Sequence, residues 1–261
     1  WGKARMHRDE RDRAGATDRL GRGFSVEFAK SDWRRPSLHR AIEEGLAAAE
    51  RSRSTATWVM SNHDVHRHAT RYALPQVDSH VVHQISRDWT LRDGLTYVED
   101  RELGTRRARA AILLELALPG SAYVYQGEEL GLFEVADLPW DRLEDPTAFR
   151  SNGIYVSKGR DGCRVPLPWT AADSPVRGNP HTRYGSEGSF GFSPTTMVAG
   201  PGVPPQAVGE PSRAPPLPPP PCVAGPSLAA QAADPDSLTN PHRRALTVRP
   251  RLMPHDPSLV R

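Results

Sequence analysis

Between Phe24 and Gln126 the chain alternates two hydrophobic rhythms, one of period two and one of about 3.6. "FSVEF" (24–28) switches between apolar and polar at each step, as a half-buried strand does, and predicts a strand. Pro36 and Ser37 then introduce "SLHRAIEEGLAAAE", where Leu38, Ile42, Leu46 and Ala49 recur at helical spacing. This predicts a helix with Ser37 as its N-cap. "TATWVMS" (55–61) follows as a short run of β-formers and predicts a second strand. The cycle then repeats. Thr105 can cap "RRARAAILLELAL", whose later turns are apolar on most faces and predict a buried helix. Pro119 and Gly120 end it, and "SAYVYQ" (121–126) predicts a third strand running into "GEELGL". Strand, helix, strand, helix, strand is the order of a parallel sheet in an α/β fold.

The flanks carry no such pattern. Residues 1–23 are charged and glycine-interrupted, which predicts a disordered or damaged N-terminal segment; the first residue, Trp1 in place of methionine, suggests a fragment. Of the 26 prolines, 19 follow Trp169, so 173–261 is expected to be a largely disordered, Pro/Gly-rich tail. Within it, "SLAAQAADPDSLTNPHRRALTVRPRL" reads as helical pieces broken at Pro241 and Pro250. A domain of 24–172 remains, large enough to bury a core.

Charge and cysteine content narrow the function classes. The net charge of +3 is small, and no basic block is interleaved with aromatics, so no nucleic-acid partner is expected. Cys163 and Cys222 are the only cysteines, too few for a disulfide framework. No apolar run approaches the roughly 20 residues that span a bilayer, and no secretory pattern opens the chain. We therefore expect no membrane association and a cytoplasmic location.

Chemistry concentrates just past the predicted strands, where α/β folds place their sites. "SNHDVHRHATRY" (61–72) holds His63, His66, His68 and Asp64, with His80 and His83 downstream. A zinc site would need three or four of these to converge tetrahedrally. His63 and His66 could meet in a helical turn, but His68 would then point elsewhere, so we expect no metal and no cofactor. Glu128 and Glu129 are neighbours whose side chains diverge, and they read as loop-capping or structural carboxylates.

Three stretches support a sharper reading. Asn62-His63-Asp64 follows "TWVMS", with Arg67 beyond; "ALPGSAYVYQGEELGL" spans 117–132; and "GRDGCRVPLPW" spans 159–169. In this order and spacing they resemble the α-amylase superfamily, glycoside hydrolase family thirteen, and its bacterial α-glucosidase and oligo-1,6-glucosidase branch. The resemblance covers about Phe24 to Trp169. It implies part of a (β/α)8 TIM-type barrel, about strands six to eight with their helices. It also implies a retaining hydrolase of α-linked gluco-oligosaccharides.

By the same resemblance, Asp64 would stabilise the transition state, and Asn62, His63, Arg67, Arg160, Asp161 and Arg164 would bind substrate. The family's nucleophile and acid/base precede its sixth strand, which "FSVEF" resembles. Among the 23 residues before Phe24, Asp9, Glu10 and Asp12 sit in a charged run and not at a strand end. Both catalytic carboxylates are thus expected to be absent, and the chain to be inactive alone. Two other readings stay open: a non-catalytic proline-rich interaction protein with a barrel remnant, and a His-rich zinc hydrolase.

Overall fold

In the computed structural model the described residues are 25–77, 79–150, 157–165, 167, 217 and 228–252. The N-terminal segment 1–23 and, Leu217 apart, the proline-rich run from 173 to 226 lie outside them.

The N–H of Ser25 donates to Thr57 O at 3.3 Å. The Ser25 side chain accepts from Phe28 N and caps a single helical turn, α1 (Val26–Ala29). The strand expected at "FSVEF" is therefore a capped turn over its described residues. Its alternation fits a turn equally well, because Phe28 and Ala29 are the residues that bury. A longer helix, α2 (Arg35–Arg51), follows with Arg34 as N-cap. Ser37, expected at that cap, lies inside the first turn. Pro36 starts the helix earlier, since its missing N–H is not needed there.

β1 (Thr57–Trp58) emerges behind α2. The chain then passes through α3 (His68–Ala73), α4 (Ser79–Leu91) and α5 (Arg101–Ala117) before reaching β2 (Ser121–Ala122). The two strands pair in parallel, Thr57 opposite Ser121 and Trp58 opposite Ala122. This is the crossover that the sequence pattern implies. α5 begins one turn before the expected cap at Thr105. Asp100 caps it, accepting from Leu103 N, while Thr105 donates back to Arg101 O at 2.8 Å.

The main core gathers on Trp58. Its ring is fully buried, meets Phe28 edge-on at 5.3 Å, and donates from Nε1 to Pro119 O at 2.6 Å. Leu38, Ile42 and Leu46 of α2 pack against this cluster, and Ala49 is part of it. These are the four positions whose spacing predicts the helix. On the other side α3 crosses α5 at Gly104, where an added Cβ would stand 2.6 Å from Ala73 Cβ and 2.7 Å from Ala69 O.

Past β2 come a 3-10 turn at Trp140–Arg142, the short α6 (Pro146–Phe149) and a second 3-10 turn at Asp161–Cys163. Two further helices follow, α7 (Leu228–Ala233) and α8 (Thr239–Leu252). α8 continues through both prolines that were expected to break it. Pro241 lies in its first turn, where N–H groups have no intrahelical partner, and Pro250 lies in its last. Arg249 then donates to Leu116 O, Leu118 O and Gly120 O. The end of α8 so satisfies carbonyls that the C-terminus of α5 leaves open.

Gly104→Ala tests the α3–α5 crossing. Alanine gains about 1 kcal/mol of helix propensity, but its methyl meets backbone that cannot yield, at a cost of about 1–3 kcal/mol. We expect a lower midpoint in thermal unfolding followed by circular dichroism. An unchanged or raised midpoint would mean that the two helices part freely.

Candidate functional site

The loop after β1 is shaped by its own side chains. Asn62 Oδ1 accepts the N–H of Asp64 at 2.8 Å, an Asx turn that sets the following residues outward. Asp64 is half exposed (51%) and His63 more so (66%), with His63 Nε2 at 3.5 Å from Asp64 Oδ2. Two arginines from the 159–165 loop close on the same carboxylate. Arg160 pairs with Asp64 Oδ1, and Arg164 Nη2 stands 3.7 Å from that oxygen. Arg164 also donates to His63 O from Nε at 3.1 Å and from Nη2 at 2.8 Å.

Asp145 holds these arginines in place. Its fully buried carboxylate accepts from Arg160 N at 2.9 Å and Nε at 2.6 Å, and lies 3.8 Å from Arg164 Nη1. Burial alone would raise its pKa, but the hydrogen bonds from Arg160 and Thr147 outweigh it and hold the carboxyl well below the usual range. Sequence reasoning missed Asp145. The Asp145-Pro146 step, a helix N-cap followed by proline, was the available signal.

Two residues expected to bind substrate are placed otherwise. Arg67 is 1% exposed. Its guanidinium donates to Gln126 O at 2.9 Å and Cys163 O at 2.8 Å, and its N–H donates to Glu134 Oε2 at 2.8 Å. It also stacks over the Tyr125 ring at 5.1 Å. Arg67 thus joins three loops and faces protein, not the cleft. Asp161 is also buried, its Oδ2 accepting the N–H groups of Glu144 and Asp145 at 2.7 and 2.8 Å. It shapes the loop that carries Arg160. Glu128 and Glu129 cap the loop after β2, accepting from Tyr125 N at 2.6 Å and Gly127 N at 2.8 Å respectively.

The histidines of "SNHDVHRHATRY" disperse. His63 faces outward, and His66 Nε2 lies 3.1 Å from Thr90 Oγ1. His68 Nδ1 lies 2.9 Å from Ser61 Oγ and 3.0 Å from Glu128 Oε1. Among the described residues no group of three or more His, Cys, Asp or Glu side chains gathers as metal ligands would; the His80 side chain is outside them. Arg71, buried behind the loop, donates to Ser31 O, Met60 O and His66 O at 2.7–3.0 Å and ties the chain after α1 to the end of β1.

Asp64 and Arg160 open onto a cleft of about 620 Å³ that runs between α1, α2, α4, α6 and the loop at 157–160. The cleft lining carries more positive than negative side chains. His66 and His83 line it, both held neutral. Burial, then Arg71 and Arg87, lowers His66 to about 4, and burial, then Arg71 and Lys30, lowers His83 to about 3.

The parallel pairing, the crossover helices and a cleft beyond the strand ends are those of a β/α barrel segment. The solved structure of the alpha-glucosyl transfer enzyme XgtA matches it with a TM-score of 0.56 at 24% identity, covering 94% of this chain and 34% of that one. Residues 22–178 match the alpha amylase catalytic domain, and the chain belongs to that family. A probable alpha-glucosidase of Rhizobium meliloti (strain 1021) is 32% identical over 160 residues, 58% of this chain and 22% of the relative. Maltase 1 of Drosophila virilis is 29% identical over 117 residues, 44% of this chain and 14% of the relative. The chain spans about a fifth or less of the length of these two relatives. No helix among the described residues is long and apolar enough to cross a membrane.

The buried titrating groups set a pH dependence. His66 and His83 stay neutral when folded and take up protons near pH 6.5 when unfolded, so stability is lost as pH falls below 6.5. Glu134 opposes them. Burial raises it to about 7 against the hydrogen bond from Arg67 N, so its contribution is present at low pH and lost as pH rises to about 7. His242, also lowered by burial, sides with the other histidines, and Glu115, raised well above the usual carboxyl range by burial, sides with Glu134. With three histidines against two carboxyls, we expect a lower thermal midpoint at pH 5 than at pH 7. Glu134→Gln keeps the hydrogen-bond acceptor, removes one opposing group and should steepen that fall. A slope unchanged by the substitution would show that Glu134 titrates normally.

Proposed function

We propose that this chain is part of an α-glucosidase-like retaining glycoside hydrolase acting on α-glucosidic bonds of short oligosaccharides. The observation that carries the reading is the half-exposed Asp64 carboxylate, held at the cleft by Arg160 and Arg164. Family membership and the α-glucosidase relatives support it.

Retaining glycosidases place two carboxyls about 5–5.5 Å apart, one to attack the anomeric carbon and one to protonate the leaving oxygen. The sugar flattens toward an oxocarbenium-like transition state, and hydrogen bonds to its hydroxyls that strengthen on the way lower the barrier. In our reading Asp64 provides such a bond. Its arginine partners keep it aimed, and His63 reaches a neighbouring hydroxyl. Asn62 fixes the turn that presents both. Arg160 and Arg164 combine two roles, orienting Asp64 and donating to hydroxyls beside the scissile bond. Arg67 and Asp161 act only through the loops they hold.

Within these 261 residues no carboxylate matches the family's nucleophile or its acid/base. General acid assistance alone is worth about 10²–10⁴ in rate, and covalent catalysis is lost with it. The chain by itself is therefore proposed to be inactive. We expect no release of glucose from maltose, isomaltose or an aryl α-glucoside by the purified chain. A chimera supplying the preceding barrel strands of an α-glucosidase should hydrolyse them. Asp64→Asn should then lower kcat/KM by about 10²–10³, the cost of removing one preorganised transition-state contact. Turnover by the chain alone, or a chimera indifferent to Asp64→Asn, would overturn the assignment.

A further inference from the structure

The cleft holds more positive charge than its carboxylates match. Lys30, Arg40, Arg87 and Arg150 all line it, and none of these four side chains forms an ion pair or hydrogen bond among the described residues. Two carboxylates share the lining, Glu27 and Asp64, and Asp64 is already engaged by Arg160 and Arg164. The two histidines on the wall, His66 and His83, are neutral and leave that imbalance in place.

Like charges gathered around one concavity focus a positive potential into it, which draws in an oxyanion. Arginine forks suit such a ligand, because their parallel N–H groups span two oxygens of a phosphate. We propose that this cleft is an oxyanion site, binding a phosphate or phosphomonoester group among Lys30, Arg40, Arg87 and Arg150. His83 supplies a second, independent observation. The residue lines the same cleft, and its Nε2 is buried without a hydrogen-bond partner among the described residues. In the neutral ring that nitrogen can carry a proton, and a small turn of the ring would let it donate to a bound oxygen. Lys30 and Arg87, after burial, are among the charges that depress His83, so these cations already act on one point of the cleft. The site rests on charge and shape and stands without the glycosidic reading. The phosphate could be free or carried by a sugar.

The test is the thermal midpoint of the purified chain titrated with inorganic phosphate at ionic strength fixed with sodium chloride. We expect a rise of about 2–4 °C at saturation, the scale of shift that such binding gives a chain of this size. The double variant Lys30→Ala/Arg87→Ala should lose the rise. Arg92→Ala, an exposed arginine that pairs with Asp88 and lies outside the cleft lining, should keep it. Glucose 6-phosphate reaching half-effect at a lower concentration than inorganic phosphate would assign the anion to a phosphosugar, and equal concentrations would assign it to free phosphate. No rise with phosphate, an equal rise with chloride alone, or a rise that survives in the double variant would overturn the proposal.

Discussion

The buried guanidinium of Arg67 is the constraint on which the site depends. Three segments far apart in the chain meet on it: its own loop after β1, Gln126 in the loop after β2, and Cys163 beside the two site arginines. Its N–H adds a fourth contact, to Glu134. A buried arginine is costly to desolvate, and hydrogen bonds to its donors offset that cost. Here two backbone carbonyls take Nη1 and Nη2, while Nε is buried without a partner among the described residues. The gain lies in register more than in stability: with Arg67 in place, Asp64 and Arg160 can face each other although 96 residues separate them.

A second layer is built from carboxylates that face inward. Asp145 grips Arg160 by both backbone and side chain, and Asp161 gathers the N–H groups of Glu144 and Asp145. Gly159 lets this loop pass close. It adopts a positive φ of 77°, and an added Cβ there would stand 2.7 Å from Asp145 Cβ. The outcome is asymmetric: Asp145 and Asp161 are hidden and saturated, while Asp64 is left with open oxygen surface at the cleft. That asymmetry separates the half-exposed carboxylate at the cleft from those that hold it in position.

Much of the fold was legible in the sequence, and what was not has specific causes. The apolar spacing of Leu38, Ile42, Leu46 and Ala49 identified α2, and the alternation of rhythms identified the parallel crossover, because burial periodicity survives any detail of packing. Element ends were harder to read. Asp100 and Arg34 begin helices whose first turns are polar, so the apolar pattern starts late and points to Thr105 and Ser37 instead. At Pro241 and Pro250 the composition suggested a broken helix, yet Pro241 removes nothing that a first turn uses, and Pro250 falls so near the end that little helix remains beyond it to break. In the site, the motif residues Asn62, His63 and Asp64 and the arginines Arg160 and Arg164 do come together. Arg67 and Asp161 belong to the same motifs but turn inward. A sequence cannot tell an arginine that reaches a sugar from one that reaches a carbonyl 59 residues away. Asp145 is signalled only as the N-cap before Pro146, and Glu134 carries no signal, so the role of each becomes visible only through its partners.

The most direct test of this account is amide hydrogen exchange on Arg67→Met, which keeps side-chain length and removes the donors. If Arg67 joins the loops, protection should fall together at residues 126–134 and 160–164, including the Gly131, Leu132 and Arg164 amides that are hydrogen-bonded within these loops, while α2 and α5 keep theirs. Protection lost only around residues 61–70, or nowhere, would contradict it: the three loops would then stand without Arg67, and the meeting of Asp64 with Arg160 would need another cause.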